Sequence, residues 1–253
     1  MKKILLLISL IFCCGFVYAG LSVDPAVTNI SGEPGSSYEG KYKVKNTYDR
    51  PISVTVELSD WNSFSGNKNV DPKNWVKFEK ERYFLSAGET VEIPYKVFIL
   101  DDFKGSVSCR INFAVDQEKG QMISISISVP IYATVVGTEN IDFDIDSVDL
   151  YNNNNNGVSY KMVLENKGNV HIRHSGTIEI YTKNKKKLLK TVSIPETVPT
   201  YCQQKRNFAD MMLSKTDLKK GKYTAIFKVK ALGKEATKEI EFKLSKLGEV
   251  VTK

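Results

Sequence analysis

The chain has 253 residues, 42% hydrophobic and 26% charged, proportions that exclude a fibrous repeat or wholesale disorder. Lys and Arg number 36 against 29 Asp and Glu, a formal charge of +7. Two His and four Cys are too few for most zinc sites or a disulfide-stapled scaffold.

Residues 1–19 read as a signal peptide. Lys2 and Lys3 open it, Ile4 to Val17 form an apolar run, and Val17-Tyr18-Ala19 offers small residues before Gly20. The run is short for a retained membrane helix. Lipid attachment at Cys13 or Cys14 is the weaker reading, because Phe12 and Cys13 stand where a small residue is expected. No later stretch is apolar enough to span a bilayer, so a soluble periplasmic or secreted product is expected. Its charge is uneven. Residues 20–140 hold 13 basic and 16 acidic side chains, and residues 141–253 hold 21 and 13. The basic half suits an acidic partner, an anionic membrane or an anionic glycan, or is simply a solvated surface. Nothing resembles a base-reading motif, so no nucleic-acid partner is expected.

After the leader, apolar and polar residues alternate with period two. The predicted strands are Lys41 to Asn46, Pro51 to Asp60, Thr90 to Leu100, Gly105 to Val115 and Met122 to Val136. Near Gly137 to Asn140 the pattern restarts. Ile141 to Leu150, Val158 to Asn166, Gly176 to Thr182, Lys187 to Ile194, Lys222 to Ala231 and Lys238 to Ser245 read as strands between turns rich in Gly, Asn and Lys. The expectation is an all-β protein of two antiparallel sandwiches, residues 20–138 and 139–253.

The longest alternation is Met122 to Ile131. Ile123, Ile125, Ile127, Val129 and Ile131 share one face, and Ser124, Ser126 and Ser128 the other. The preceding strand offers Val107, Cys109, Ile111, Phe113 and Val115 in the same phase. One reading is a hairpin burying both apolar faces in a core. The other is a strand that overhangs the core and offers backbone and alternate side chains to a partner's sheet, with Pro130 as edge protection.

The remaining constellations carry no chemistry. Cys109 falls on a core face, and Cys202, in a polar segment, reads as free or paired between molecules, so no intramolecular disulfide is expected. His171 and His174 would face opposite sides of a strand, and no cluster completes a metal site. Asp101, Asp102, Asp142, Asp144 and Asp146 read as solvation rather than a calcium loop. Nucleophile-elbow, phosphate-loop and zincin motifs are missing, so neither an enzyme nor a cofactor is expected. Trp61 and Trp75 flank a long polar loop, as a glycan contact or as plugs at a sandwich end.

Val44-Lys45-Asn46, Pro51 opening the next strand, and Phe84 to Glu89 ahead of a long strand resemble the first immunoglobulin-like domain of the periplasmic pilus chaperone superfamily. Leu164 to Asn184 and Leu218 to Glu239 resemble immunoglobulin-like repeats of bacterial secreted proteins. The resemblance implies two tandem immunoglobulin-like domains. It also implies a chaperone-like or assembly-accessory role toward an exported or pilin-like polypeptide, through Ile123, Ile125, Ile127 and Val129. The family holds a subunit's carboxylate with an arginine on the first strand and a lysine near the last. Leu21 to Ile30 holds neither, and Arg110 and Lys119 are the nearby basic candidates. A structural or adhesive surface module, using loops such as Ser59 to Asn74 or the basic second half, stands as the alternative.

Overall fold

The computed structural model describes residues 20–60, 70–116, 125–153, 157–196 and 198–251. The predicted leader lies outside them, and among the described residues no helix is long and apolar enough to cross a membrane. Contacts divide the chain into two units. The first takes the described residues of 1–61, 71–101 and 108–133, and the second those of 62–70, 102–107 and 134–253.

The all-β reading is right. In chain order the first elements are β1 (Leu21–Asp24), β2 (Thr28–Gly32), β3 (Ser37–Asn46), β4 (Ile52–Asp60), the single turn α1 (Pro72–Trp75) and β5 (Val76–Phe78). Next come β6 (Arg82–Leu85), β7 (Thr90–Phe98), β8 (Gly105–Val115) and β9 (Ser126–Val135). They form a four-stranded sheet, β1-β3-β7-β5, and a five-stranded sheet, β2-β9-β8-β4-β6. Alternation decides which side chains go inside. In β3, Tyr42, Val44 and Asn46 are buried while Lys41, Lys43 and Lys45 face water. In β8, Val107, Cys109, Ile111, Phe113 and Val115 are all buried, as their shared phase requires. Each such side chain contributes about 1.5–3 kcal/mol over its exposed state. Tyr42 packs on Tyr95 at 4.8 Å and edge-on to Phe113 at 5.3 Å. Its hydroxyl shares a 2.6 Å hydrogen bond with Thr28, so burial of that polar atom is compensated. Gly40 stands opposite Tyr95 in the β3–β7 register, where a Cβ would sit 2.4 Å from the Tyr95 hydroxyl.

Residues Leu21 to Ile30 read as a single strand from sequence but divide in two. β1 pairs with β3, whereas β2 joins β9 in the other sheet. Pro25, between them, has no N–H to continue a ladder.

The second unit contains β10 (Phe143–Asn153), β11 (Gly157–Asn166), β12 (Ser175–Thr182), β13 (Leu188–Ile194), β14 (Gln204–Leu213), β15 (Gly221–Ala231) and β16 (Lys234–Leu244). Its sheets are β10-β11-β14 and β13-β12-β15-β16, around a core that includes Ile145, Met162, Leu164, Ile178, Ile180, Phe227 and Val229. Sequence alternation does not reveal β14. It is an edge strand in which only Phe208, Met212 and Leu213 are buried, while the apolar Ala209 and Met211 lie exposed among polar residues and break the alternation. Its backbone pairs with β11 from Leu213 opposite Val158 to Gln204 opposite Asn166. Cys202, just before it, is 2% exposed, which closes the reading of a thiol available to another molecule.

One local device occurs in both units. Asn46, at the end of β3, is fully buried. Its Nδ2 donates to the carbonyls of Arg50 (2.8 Å), Ser86 (2.9 Å) and Leu85 (3.3 Å), and its Oδ1 accepts from the Tyr48 N–H (2.9 Å). Asn166, at the end of β11, repeats this. It donates to Val170 (2.8 Å) and Thr200 (3.0 Å) and accepts from the Gly168 N–H (3.0 Å). In each case one carboxamide closes the turn two residues on, binds a carbonyl four residues on, and ties both to a distant segment. Asn46→Ala and Asn166→Ala are each expected to lower unfolding stability by about 2–4 kcal/mol, because carbonyls and an N–H are left buried without partners. Asn→Asp should do no better, since it cannot donate. Urea unfolding of the variants measures this.

Candidate strand-pairing site

Isoleucine and valine alternating with serine favour an extended chain, since β-branched side chains pack well on a pleated surface. That places β9 as a strand, between β8 and β2. Ile123 lies outside the described residues. The other predicted site residues follow a gradient. Ile125, just before β9, is 39% exposed and Ile127 is half-buried, whereas Val129 is 1% exposed and Ile131 is fully buried. The same face of one strand therefore leaves the core as it runs toward its N-terminal end.

The backbone there is held on one side. The Val115 N–H donates to the Ile125 carbonyl at 2.9 Å, at the last residue of β8. Asp116 then anchors the end of β8. Its carboxylate accepts from Thr55 (2.6 Å) and Ser53 (2.7 Å), lies 3.2 Å from Arg82 Nε, and is held below the usual carboxylate range chiefly by the Thr55 hydrogen bond. On the other side β9 has ten residues and β2 only five. The serine face is partly committed. Ser128 donates to Asn112 Oδ1 at 2.6 Å, and Asn112 donates to Ser59 at 3.0 Å, a chain across β9, β8 and β4. Pro130, the predicted edge protection, is half-buried within β9.

Of the basic candidates, Arg110 is half-buried on β8 and Lys119 lies outside the described residues. Trp75 is fully buried at the end of α1, so its ring plugs the first unit, and Trp61 is outside the described residues. The sequence reading missed Phe84. It lies on the edge strand β6, is 78% exposed, and lines a shallow groove with Ile52, Leu85 and Val115. Its period-two position opposite Leu85 was the available signal.

In the second unit Ser106, His171 and Cys202 come together. His171 Nδ1 lies 3.4 Å and Cys202 Sγ 3.9 Å from Ser106 Oγ. Ser106 is 3% exposed, and burial raises the Cys202 thiol's pKa while lowering that of His171 to about 4. The neutral imidazole is half-buried and the undissociated thiol buried, and with the thiol's pKa raised this contact presents no activated nucleophile. Of the acidic residues, Asp142 pairs with Lys234 and Asp146 with Lys205, while Asp101 and Asp102 are exposed.

No family model matches the chain, and no curated protein matches it either. Solved structures similar to this chain include chaperones of fimbrial assembly. The class 5 fimbriae chaperone CfaA is 14% identical, with a TM-score of 0.48, over 88% of this chain and 98% of that one. The E. coli chaperone DraB is 16% identical, with a TM-score of 0.44, over 89% and 98%. The Salmonella enterica SafA pilin–SafB chaperone complex matches at 10% identity and a TM-score of 0.44, over 91% and 99%.

His174 is fully buried, 4.2 Å edge-on to Phe208, and neither ring nitrogen has a hydrogen-bond partner among the described residues. Burial lowers its pKa from 6.5 to about 4, as it does for His171. Between those values the unfolded chain binds more protons than the folded one, so stability is complete above about pH 6.5 and falls as pH drops toward 4. His174→Phe is expected to flatten part of that decline, leaving the share due to His171. Thermal unfolding from pH 7 to pH 4 tests this.

Proposed function

We propose that the protein is a non-enzymatic, chaperone-like or assembly-accessory factor of the cell envelope. It binds another exported polypeptide by strand pairing along Ile123, Ile125 and Ile127; of the expected partner-binding residues, Val129 and Ile131 are buried in this protein's own core. The observation that carries this reading is the exposure gradient of β9, from Ile131 at 0% to Ile125 at 39%. β2 is half as long as β9, and the rise in exposure supports reading the N-terminal end of β9 as the stretch open to a partner. Backbone groups there would supply main-chain hydrogen bonds to an incoming strand. Ile125 and Ile127 would enter the partner's core in the register that their spacing sets. Val129 and Ile131 hold the strand in this protein's own core, so the recognising end is preorganised and little ordering entropy opposes binding.

A photo-crosslinking residue at position 125 is expected to form an adduct with one exported polypeptide, mapping by mass spectrometry to a segment of alternating apolar residues. With the photo-crosslinking residue moved to the exposed position 126, Ile125→Asp with Ile127→Asp should reduce the adduct at least tenfold while the unfolding midpoint moves little. Val129→Asp should unfold the first unit, as a charge in a core does. Unchanged capture in the double variant rules the mechanism out. Unfolding of Ile125→Asp alone would make the segment an ordinary core strand.

A further inference from the structure

The excess lysine of the second unit is concentrated at one end of its four-stranded sheet. β12 ends where β15 begins, with Thr182 opposite Tyr223, and β16 ends beside the same point, with Gly221 opposite Leu244. The turn after β12 is joined to β15 by the Thr224 hydroxyl, which donates to the Lys183 carbonyl at 3.2 Å. The turn after β16 packs against Lys215, for a Cβ on Gly248 would lie 2.5 Å from the Lys215 carbonyl oxygen. Residues 183–190, 215–222 and 239–249 are thereby gathered, and they hold eleven lysines against four carboxylates. Lys183, Lys185, Lys186 and Lys187 crowd one exposed turn, and Lys219, Lys220 and Lys222 the next.

Of the four carboxylates, Glu239 pairs with Lys185 and Asp217 with Lys190, and Glu241 and Glu249 are the other two. The remaining lysines reach no carboxylate among the described residues. The rest of the same sheet is different. Lys228 pairs with Glu179, and at the opposite end Lys230 pairs with Glu235 and Lys234 with Asp142. Simple solubilisation would not require charge to be matched at one end and unmatched at the other.

Two exposed leucines mark the margins of the lysine end. Leu188, 47% exposed, opens β13, and Leu247, 70% exposed, lies just past β16. These strands are the two edges of the sheet, about 14 Å apart at three strand spacings. A soluble polyanion has no use for apolar side chains beside the lysines. A lipid leaflet does, since phosphates meet the ammonium groups while leucine and the lysine stems reach the acyl boundary. We propose that this end of the second unit docks on an anionic lipid surface, with Leu188 and Leu247 as shallow anchors.

Flotation of the full chain with phosphatidylcholine vesicles, with and without phosphatidylglycerol, tests this. Binding is expected only with phosphatidylglycerol, and added salt should reverse it. The triple change Lys183→Gln, Lys186→Gln and Lys187→Gln should weaken binding about a hundredfold. Leu188→Ser with Leu247→Ser should weaken it about tenfold. All five positions are exposed, and an unchanged circular dichroism spectrum controls for folding. Failure to float, or equal flotation with phosphatidylcholine alone, overturns the proposal. So does a leucine variant that floats like the parent while inorganic polyphosphate displaces both, which would make the end a site for soluble polyanions.

Discussion

A buried carboxamide at the end of a strand is the constraint on which each unit depends. Asn46 and Asn166 sit where a long strand turns back, and each satisfies backbone groups that would otherwise be buried without partners. An amide side chain supplies two donor hydrogens and an acceptor there, which neither an apolar residue nor a carboxylate does. Because the second donor hydrogen reaches a distant segment, Leu85 and Ser86 in one unit and Thr200 in the other, one side chain relates strand ends far apart in sequence. The packing of Tyr42, Tyr95 and Phe113, and of Tyr160 against Phe227 at 5.4 Å, is built around strands placed in this way.

β9 combines two demands that usually conflict. A strand that recognises a partner must expose apolar side chains and backbone, yet an exposed apolar strand invites aggregation. Here one half of the strand is fixed by burial of Val129, Ile131, Ala133 and Val135, and the other half emerges gradually. The Asp116 cluster holds the neighbouring end of β8, and the Ser128–Asn112–Ser59 chain stiffens the outer face. The proposed recognition would therefore rest on rigid elements, which favours a defined register over adaptive contact.

Charge is used differently in the two units. In the first, pairs such as Lys41–Glu92 and Lys96–Glu39 balance lysines across strands, and exposed pairs of this kind contribute little to stability. In the second, pairing along the sheet gives way to a lysine-rich end. That asymmetry has no stabilising value, because like charges on neighbouring turns repel. In the proposed docking it would act on association rather than on folding.

The period-two alternation by itself determined the class, the position of most strands and the inward phase of residues such as Ile111, Phe113, Ile178 and Phe227, because burial on one face of a pleat is a local property. It also marked the Ile125-to-Ile131 face as apolar. Only the tertiary structure decided how far along that face burial extends, since this depends on what packs over each position and not on the residues of β9 alone. β14, the division of the first strand at Pro25 and the burial of Cys202 were likewise illegible. Each follows from contact with segments distant in sequence, strand pairing for β14 and the first strand and packing against Ser106 for Cys202, and the broken alternation of β14 leaves little to read. The lysine-rich end has the same origin. Its turns are separated by up to sixty residues, and the antiparallel return of β15 and β16 brings them together.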